Sequence, residues 1–258
     1  MTETMTSLAN RPAWVDLATS DAAGAREFYS RLFGWQIDVS DDPQYGGYGT
    51  ARLGQGSVGG IGPKQNEQTP TAWSLYIGTD DVDALAARVE GAGGTIVVPP
   101  TDVGDQGRFA VFQDPSGGTV SAWQSAQMGT FLADKPNAFG WAELNARGVE
   151  RAIPFYEELF GWTHKTSESD DGQPPYTEFQ IDGQSIAGAW EMSPQVPAPV
   201  PSYWQVYFNT DDVDDAYQRA LAAGGREMLP PQDFPGGRFA IVSDPQGASF
   251  GLLKTTPR

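Results

Sequence analysis

From Trp14 to Ala18, apolar and polar positions alternate with period two, which predicts a half-buried strand. The period then changes. Behind Ser20 and Asp21, both acceptable N-cap residues, Phe28, Tyr29, Leu32 and Phe33 fall on one side of a predicted helix, and Gly34 supplies a left-handed stop. Short strands separated by Gly-rich turns follow at 35–39, 49–53 and 57–61. The same order of strand, helix and three strands recurs from Trp73. A strand runs to Thr79, a helix capped by Thr79 or Asp80 ends near Gly91, and strands lie near 95–98, 108–113 and 119–123.

The whole pattern is then repeated. WVDLATSDAAGAREFYSRLFGW from Trp14 matches WAELNARGVERAIPFYEELFGW from Trp141 without a gap. WSLYIGTDDVDALAARVEGAGG from Trp73 matches WQVYFNTDDVDDAYQRALAAGG from Trp204, and GRFAVFQDPSG from Gly107 matches GRFAIVSDPQG from Gly237. In the second copy, strands at 176–181 and 185–190 flank Asp182-Gly183, a tight-hairpin signal. The chain therefore reads as four βαβββ modules of an α+β fold. The expected boundaries are a flexible arm at 1–12, a first domain at 13–124, a linker at 125–140, a second domain at 141–254 and a tail at 255–258.

Composition narrows the chemistry. With 258 residues the chain has room for two cores, and 31 Gly and 20 Pro exclude a helical bundle or coiled coil. A formal charge of −17 repels phosphate backbones and anionic membrane surfaces, so neither nucleic acid nor membrane is an expected partner. No apolar run approaches a bilayer span and the first residues lack a secretory core, so the expected location is cytoplasmic. The absence of Cys excludes disulfides, thiolate metal sites and a Cys nucleophile, and a single His164 excludes any site needing two.

Taken in order and duplicated, the AREFYSRLFGW and AIPFYEELFGW helices, the VGGIGP and IAGAWEM strands, the TDDVDA and TDDVDD helix starts and both GRFA…DPxG hairpins resemble the vicinal oxygen chelate superfamily. This group includes glyoxalase I, bleomycin-resistance proteins and extradiol dioxygenases. The resemblance covers Trp14 to Lys254, and WxDL or WxEL with PTAWSLY or PSYWQVY is similar to a two-domain actinobacterial subgroup labelled glyoxalase-like or hydroxylase. It implies paired βαβββ modules curling around concave clefts. It also implies metal-ligand slots on the first, fifth and eighth strands, which fall here at Trp14, Ser74 and Ser121 and at Trp141, Gln205 and Gly251. Indole cannot bind a metal and only Gln205 is a plausible ligand, so no metal and no other cofactor is expected in either half.

Strand phase nominates what remains. With Val15 and Leu17 packed on the helices, Trp14, Asp16 and Ala18 face the concave side, and Trp141, Glu143 and Asn145 do so in the second copy. Ser74 and Tyr76 line one cleft, and Gln205, Tyr207 and Asn209 the other. Asp16 and Glu143 read as general bases or acceptors for a substrate hydroxyl, or else as structural carboxylates tied to Arg108, Arg238 or backbone amides. Trp14 and Trp141 suit stacking on a flat apolar molecule or a structural role. Tyr76 and Tyr207 are carbonyl donors or ordinary strand tyrosines. Trp35, Trp162, Trp73 and Trp204 are expected in the core, and His164 on an edge strand, a lone catalytic role being the alternative. The glycines around Gly54 read as turns rather than a phosphate loop, the Asp80-Asp81 and Asp211-Asp212 pairs as helix caps rather than calcium ligands, and the Pro-rich segments 63–71 and 193–201 as spacers or cleft rims.

Three functions follow. The leading one is a metal-free binder of a small flat apolar metabolite or antibiotic. The others are a metal-independent lyase, isomerase or oxygenase using Glu143 or Asp16 as base, and a metal-dependent glyoxalase or dioxygenase. Because one chain holds four modules, a monomer and a homodimer are both expected states.

Overall fold

The computed structural model describes residues 9–126, 131–168 and 175–256. The first repeat runs β1 (Pro12–Thr19), α1 (Ala22–Phe33), β2 (Gln36–Val39), β3 (Gly49–Leu53), β4 (Gly56–Pro63), β5 (Ala72–Gly78), α2 (Val82–Val89), β6 (Thr95–Val103), β7 (Gly107–Gln113) and β8 (Thr119–Ser125). The second runs β9 (Phe139–Ala146), α3 (Val149–Phe160), β10 (Thr163–Thr166), β11 (Tyr176–Ile181), β12 (Gln184–Glu191), β13 (Tyr203–Asn209), α4 (Val213–Ala222), β14 (Arg226–Phe234), β15 (Gly237–Ser243) and β16 (Ser249–Thr255). The four modules are thus observed in the predicted order. The strands form two mixed sheets in the orders β2-β3-β4-β1-β5-β8-β7-β6 and β10-β11-β12-β9-β13-β16-β15-β14. The β1/β4, β5/β8, β9/β12 and β13/β16 pairs are parallel. Among the described residues no helix is long and apolar enough to cross a membrane.

Compactness divides the chain differently from the repeat. One unit comprises Met1–Trp14, Leu75–Met128 and Glu143–Trp204, and the other Val15–Ser74, Gly129–Ala142 and Gln205–Arg258. Each unit therefore draws one module from each repeat. In the second, α1 lays Phe28, Tyr29 and Phe33 against Phe208 of β13 and Phe250 of β16, with Trp35 and Trp73 completing the cluster. In the first, Phe155, Tyr156 and Phe160 of α3 gather Trp162, Phe179 and Trp204. All four core tryptophans are at most 5 % exposed, as expected for rings that bury so much apolar area.

A buried hydrogen-bonded chain explains the most insistent motifs. The Trp73 indole N–H donates to the Tyr29 hydroxyl at 2.9 Å, which donates to Asp244 Oδ2 at 3.2 Å. Asp244 also accepts from the amides of Gln246 and Ala248. The other unit repeats this with Trp204, Tyr156 and Asp114 at 2.8 and 2.8 Å. The FY of each helix and the DP of each hairpin are thus partners, although 215 residues separate Tyr29 from Asp244. Burial and the neighbouring carboxylate push both tyrosine hydroxyls well above their ordinary range, so they stay protonated donors.

Local differences from expectation have simple causes. Asp81, not Thr79 or Asp80, caps α2, accepting from Ala84 N at 2.9 Å, while the Thr79 hydroxyl accepts from the Asp81 amide. Asp21 and Asp212 cap α1 and α4 in the same way. At α3 the cap position is Gly148, in a left-handed conformation (φ 86), and Glu191 of β12 instead accepts from the amides of Gly148 and Val149. Strand β6 continues past the predicted end through Pro99 and Pro100 because it is a sheet edge, where register shifts between Val98 and Thr101 absorb the missing amides. The expected arm is tied down from Asn10 onward, which donates to Gly78 O and accepts from the Trp162 indole. Residues 1–8 of that arm, 127–130 of the linker and the last two residues of the tail lie outside the described residues.

Candidate functional site

The face of β1 that carries Ala13, Val15, Leu17 and Thr19 is buried, and Trp14, Asp16 and Ala18 lie half-buried on the helix-free face. In β9, Trp141, Glu143 and Asn145 alternate with buried Ala142, Leu144 and Ala146 in the same phase. Around Asp16 the neighbours come from the register. Asp16 pairs with Gly60 and Ala18 with Gly62 across β1/β4, and Gly60 pairs with Thr50 across β3/β4. Tyr48, just before β3, reaches over this strip and donates its hydroxyl to Asp16 Oδ1 at 2.6 Å. A Cβ on Gly60 would lie 1.7 Å from the Tyr48 hydroxyl and 2.2 Å from Asp16 Oδ1, so the contact depends on glycine there.

The second repeat fills the same frame differently. Glu143 pairs with Gly188, which pairs with Glu178, and Asn145 pairs with Trp190, which pairs with Tyr176. Trp190 thus occupies the place of Gly62, and the Tyr176 ring leans on it at 5.7 Å. Glu178 accepts from the Ser185 hydroxyl. Partial burial of the ring and the Glu143 charge push the Tyr203 hydroxyl above its ordinary range. The Asn145 amide donates to Glu143 O at 3.4 Å.

The arginines offered as structural partners for these acids are engaged elsewhere. Arg108 binds Asp83 and Asp102, and Arg238 binds Asp214 and Asp233, all within 3.0 Å and on exposed surface. The guanidinium groups hold Asp83 and Asp214 below the ordinary carboxylate range. The structural alternative for Asp16 and Glu143 therefore does not run through Arg108 or Arg238. His164 pairs with Glu157 at 2.7 Å on exposed β10.

On the fifth and eighth strands the repeats again differ. Ser74 and Tyr76 are half-buried on β5, Tyr76 opposite buried Ser121. On β13, Gln205 and Tyr207 are 1 % and 5 % exposed, while Asn209 is half-buried. The Tyr207 ring lies across Gly251, where a Cβ would meet ring carbon Cδ1 at 1.9 Å, and it touches Phe239 edge-on. Gln205 accepts from Ser249 at 2.9 Å and donates to Val206 O.

A sequence profile of the Glyoxalase/Bleomycin resistance protein/Dioxygenase superfamily matches residues 11–121 and 138–252. The chain belongs to this superfamily. Its two matched segments make it a tandem pair of glyoxalase-like domains, as the repeat predicts. It is 40 % identical over 253 residues to "Putative glyoxylase CFP32" of Mycobacterium tuberculosis, covering 96 % of this chain and 95 % of that protein. It is 35 % identical over 260 residues to "Anthracycline biosynthesis protein DnrV" of Streptomyces peucetius, covering 94 % and 92 %. Its fold is similar to that of the Mn(II)-bound glyoxalase from Novosphingobium aromaticivorans, with a TM-score of 0.65 and 17 % identity over 97 % of this chain and 85 % of that one.

Superfamily membership raises the question of a divalent ion, and the residues at the slots do not fit one. Trp14 and Trp141 present indole, a donor with no lone pair to give. The amide of Gln205 is buried and committed to Ser249, and the space a carboxylate would need at Gly251 is taken by the Tyr207 ring. Among the described residues no three His, Cys, Asp or Glu side chains converge. Tyr48, Glu178, Trp190 and Tyr203 escaped the sequence reading. For Tyr48 a signal exists, since it and Tyr176 stand at matched positions two residues before Thr50 and Glu178.

Proposed function

We propose that the protein binds a small, flat, apolar molecule on the helix-free faces of its sheets and does so without a divalent cation. The observation that carries the reading is the exchange of metal-ligand chemistry for a half-buried indole and a carboxylate on the same face of the same strand, Trp14 with Asp16 and Trp141 with Glu143. Indoles supply a planar apolar wall, and a carboxylate fixes orientation through one hydrogen bond. DnrV is named for anthracycline biosynthesis, and anthracyclines are planar fused-ring molecules, which supports this ligand class for a chain 35 % identical to it.

Quenching of tryptophan emission by planar aromatics such as 2-hydroxyanthraquinone tests the reading. Trp14→Ala or Trp141→Ala should weaken the affected site by roughly 10-fold, the scale of one well-stacked ring. Prior treatment with a chelator, or addition of Zn, Mn or Fe salts, should leave affinity and melting temperature unchanged. Affinity indifferent to both tryptophans, or binding that requires added metal, refutes it.

A second reading is proton-transfer catalysis by Glu143, a half-buried carboxylate on the same face of β9 as Trp141. Under it Glu143→Gln retains ligand binding and loses turnover.

A further inference from the structure

We propose that the carboxamide of Asn209 is the polar anchor of a second-repeat subsite, and that it takes a flat molecule carrying a hydrogen-bond donor and an acceptor side by side, as a cyclic amide does. The inference rests on the proposed small-molecule reading and adds which group of the ligand is recognised and by what. Phe208 packs against Phe33 of α1, so the next residue, Asn209, points to the helix-free face of β13. Its backbone is fixed from both sides, the amide donating to Ala138 O at 2.9 Å and the carbonyl accepting from Asn137 N at 2.8 Å. Among the described residues its side chain has no hydrogen-bond partner, yet it is not one of the enclosed orphan groups, which are Arg26 Nε, Arg147 Nε and Gln246 Oε1. The carboxamide is therefore held in place, unpaired and open to solvent.

The chain makes room for this group. The carboxamide lies on Gly140, where a Cβ would stand 2.2 Å from Oδ1, 2.5 Å from Cγ and 2.8 Å from Nδ2. The first repeat has Ala13 at the place of Gly140 and Gly78 at the place of Asn209, so the residue that needs space and the residue that gives it change together. Packing alone does not call for the exchange, because Ala13 and Gly78 build the same frame without an unpaired polar group. Beside Asn209 the register runs to Leu253 of β16 and on to Phe239 of β15, and Phe234, 38 % exposed, stands edge-on to Phe239 at 5.8 Å. An apolar strip of two strand spacings, roughly 10 Å, thus leads away from the amide, which is the reach of a two-ring molecule. A carboxamide presents its donor and acceptor in one plane and pairs best with a cis-amide edge, the ligand N–H facing Oδ1 and the ligand carbonyl facing Nδ2. Gly140 is a positioning residue for Asn209.

The test titrates the full chain with 2-quinolinone and N-methyl-2-quinolinone by calorimetry, with folding checked by far-ultraviolet circular dichroism. The unmethylated compound should bind about 5–30-fold more tightly, the range for one or two hydrogen bonds at a half-exposed site. Asn209→Ala should erase that preference, and Asn209→Asp, which sets a carboxylate against the ligand carbonyl, should weaken binding of 2-quinolinone. Gly140→Ala, which pushes the carboxamide aside, should copy Asn209→Ala in binding and lower the melting temperature. Adding Asn209→Gly to Gly140→Ala rebuilds the first-repeat pair and should recover the melting temperature without the preference, which separates recognition from packing. Equal affinity for the two compounds in the unmodified protein, a preference that survives Asn209→Ala, or one untouched by Gly140→Ala each overturns the subsite. So does failure of both quinolinones to bind while 2-hydroxyanthraquinone binds, and the broader reading then stands. Failure of all three compounds to bind overturns the broader reading and the subsite with it.

Discussion

Replacing Tyr29 with Phe removes one oxygen from the centre of a buried three-residue chain and nothing else. Two hydrogen bonds go with it, the 2.9 Å bond from the Trp73 indole and the 3.2 Å bond to Asp244. A buried donor left alone costs roughly 1–3 kcal/mol, and a bond to a charged group contributes roughly 1.5–3 kcal/mol. The long Tyr29–Asp244 distance puts that bond at the weak end, and Asp244 keeps the amides of Gln246 and Ala248. The expected loss is about 2–4 kcal/mol, roughly 5–12 °C in melting temperature. Tyr156→Phe, whose bond to Asp114 measures 2.8 Å, should lose up to about 1 kcal/mol more.

The loss also has a pH signature. Burial holds the Asp244 carboxyl above the ordinary carboxylate range, against the pull of its donors. A carboxyl raised in the folded state contributes stability that is fully present below its unfolded value, near 3.9, and is lost as pH rises through its folded value. At neutral pH the ionised group depends on its donors, Tyr29 among them, and once protonated it depends on them less. Urea denaturation of Tyr29→Phe, followed by tryptophan emission at pH 7 and near pH 4, should therefore show the smaller loss at the acid end. A loss below about 0.5 kcal/mol at pH 7, or one that grows on acidification, would refute the reasoning.

Two further substitutions probe other parts of the structure. Gly251→Ala should destabilise by about 1–3 kcal/mol through overpacking against the Tyr207 ring, and in a Tyr207→Ala background the same change should cost under about 0.5 kcal/mol, a coupling read from a double-mutant cycle in urea. Glu191→Gln should cost about 0.5–2 kcal/mol, because it weakens the borrowed cap of α3, whereas Glu191→Ala should cost more; equal losses in the two variants would show that the carboxylate bonds to Gly148 and Val149 do not support the helix.

What could be read from the chain alone were features whose cause is local. Periodicity marked β1 and α1, the duplicated Trp14 and Trp141 segments marked the repeat, and the side chains before α1, α2 and α4 marked their starts to within a residue or two. The phase that turns Asp16 and Glu143 away from the helices followed from Val15 and Leu17 alone. What could not be read depends on residues far apart in sequence. Tyr29 finds its acceptor in the other repeat, and Tyr48 reaches Asp16 only because Gly60 and Gly62 clear the path. Gln205 and Tyr207 have the alternation of a binding face, yet both are buried, since Ser249 and the bare backbone of Gly251 sit opposite them. The missing Cβ at three glycines decided more of the site than any charged residue.

The distance in sequence between Tyr29 and Asp244 sets an order of events as the nascent chain leaves the ribosome. The Tyr156 acceptor, Asp114, emerges before Tyr156 itself, so that chain can close while translation continues. Tyr29 and Trp73 must wait for nearly the whole polypeptide, and until Asp244 appears the first module has an aromatic surface with no mate. A stalled or truncated product would therefore expose Phe28, Phe33 and Trp35 to chaperones and proteases, and quality control could tell it from the finished protein by that surface.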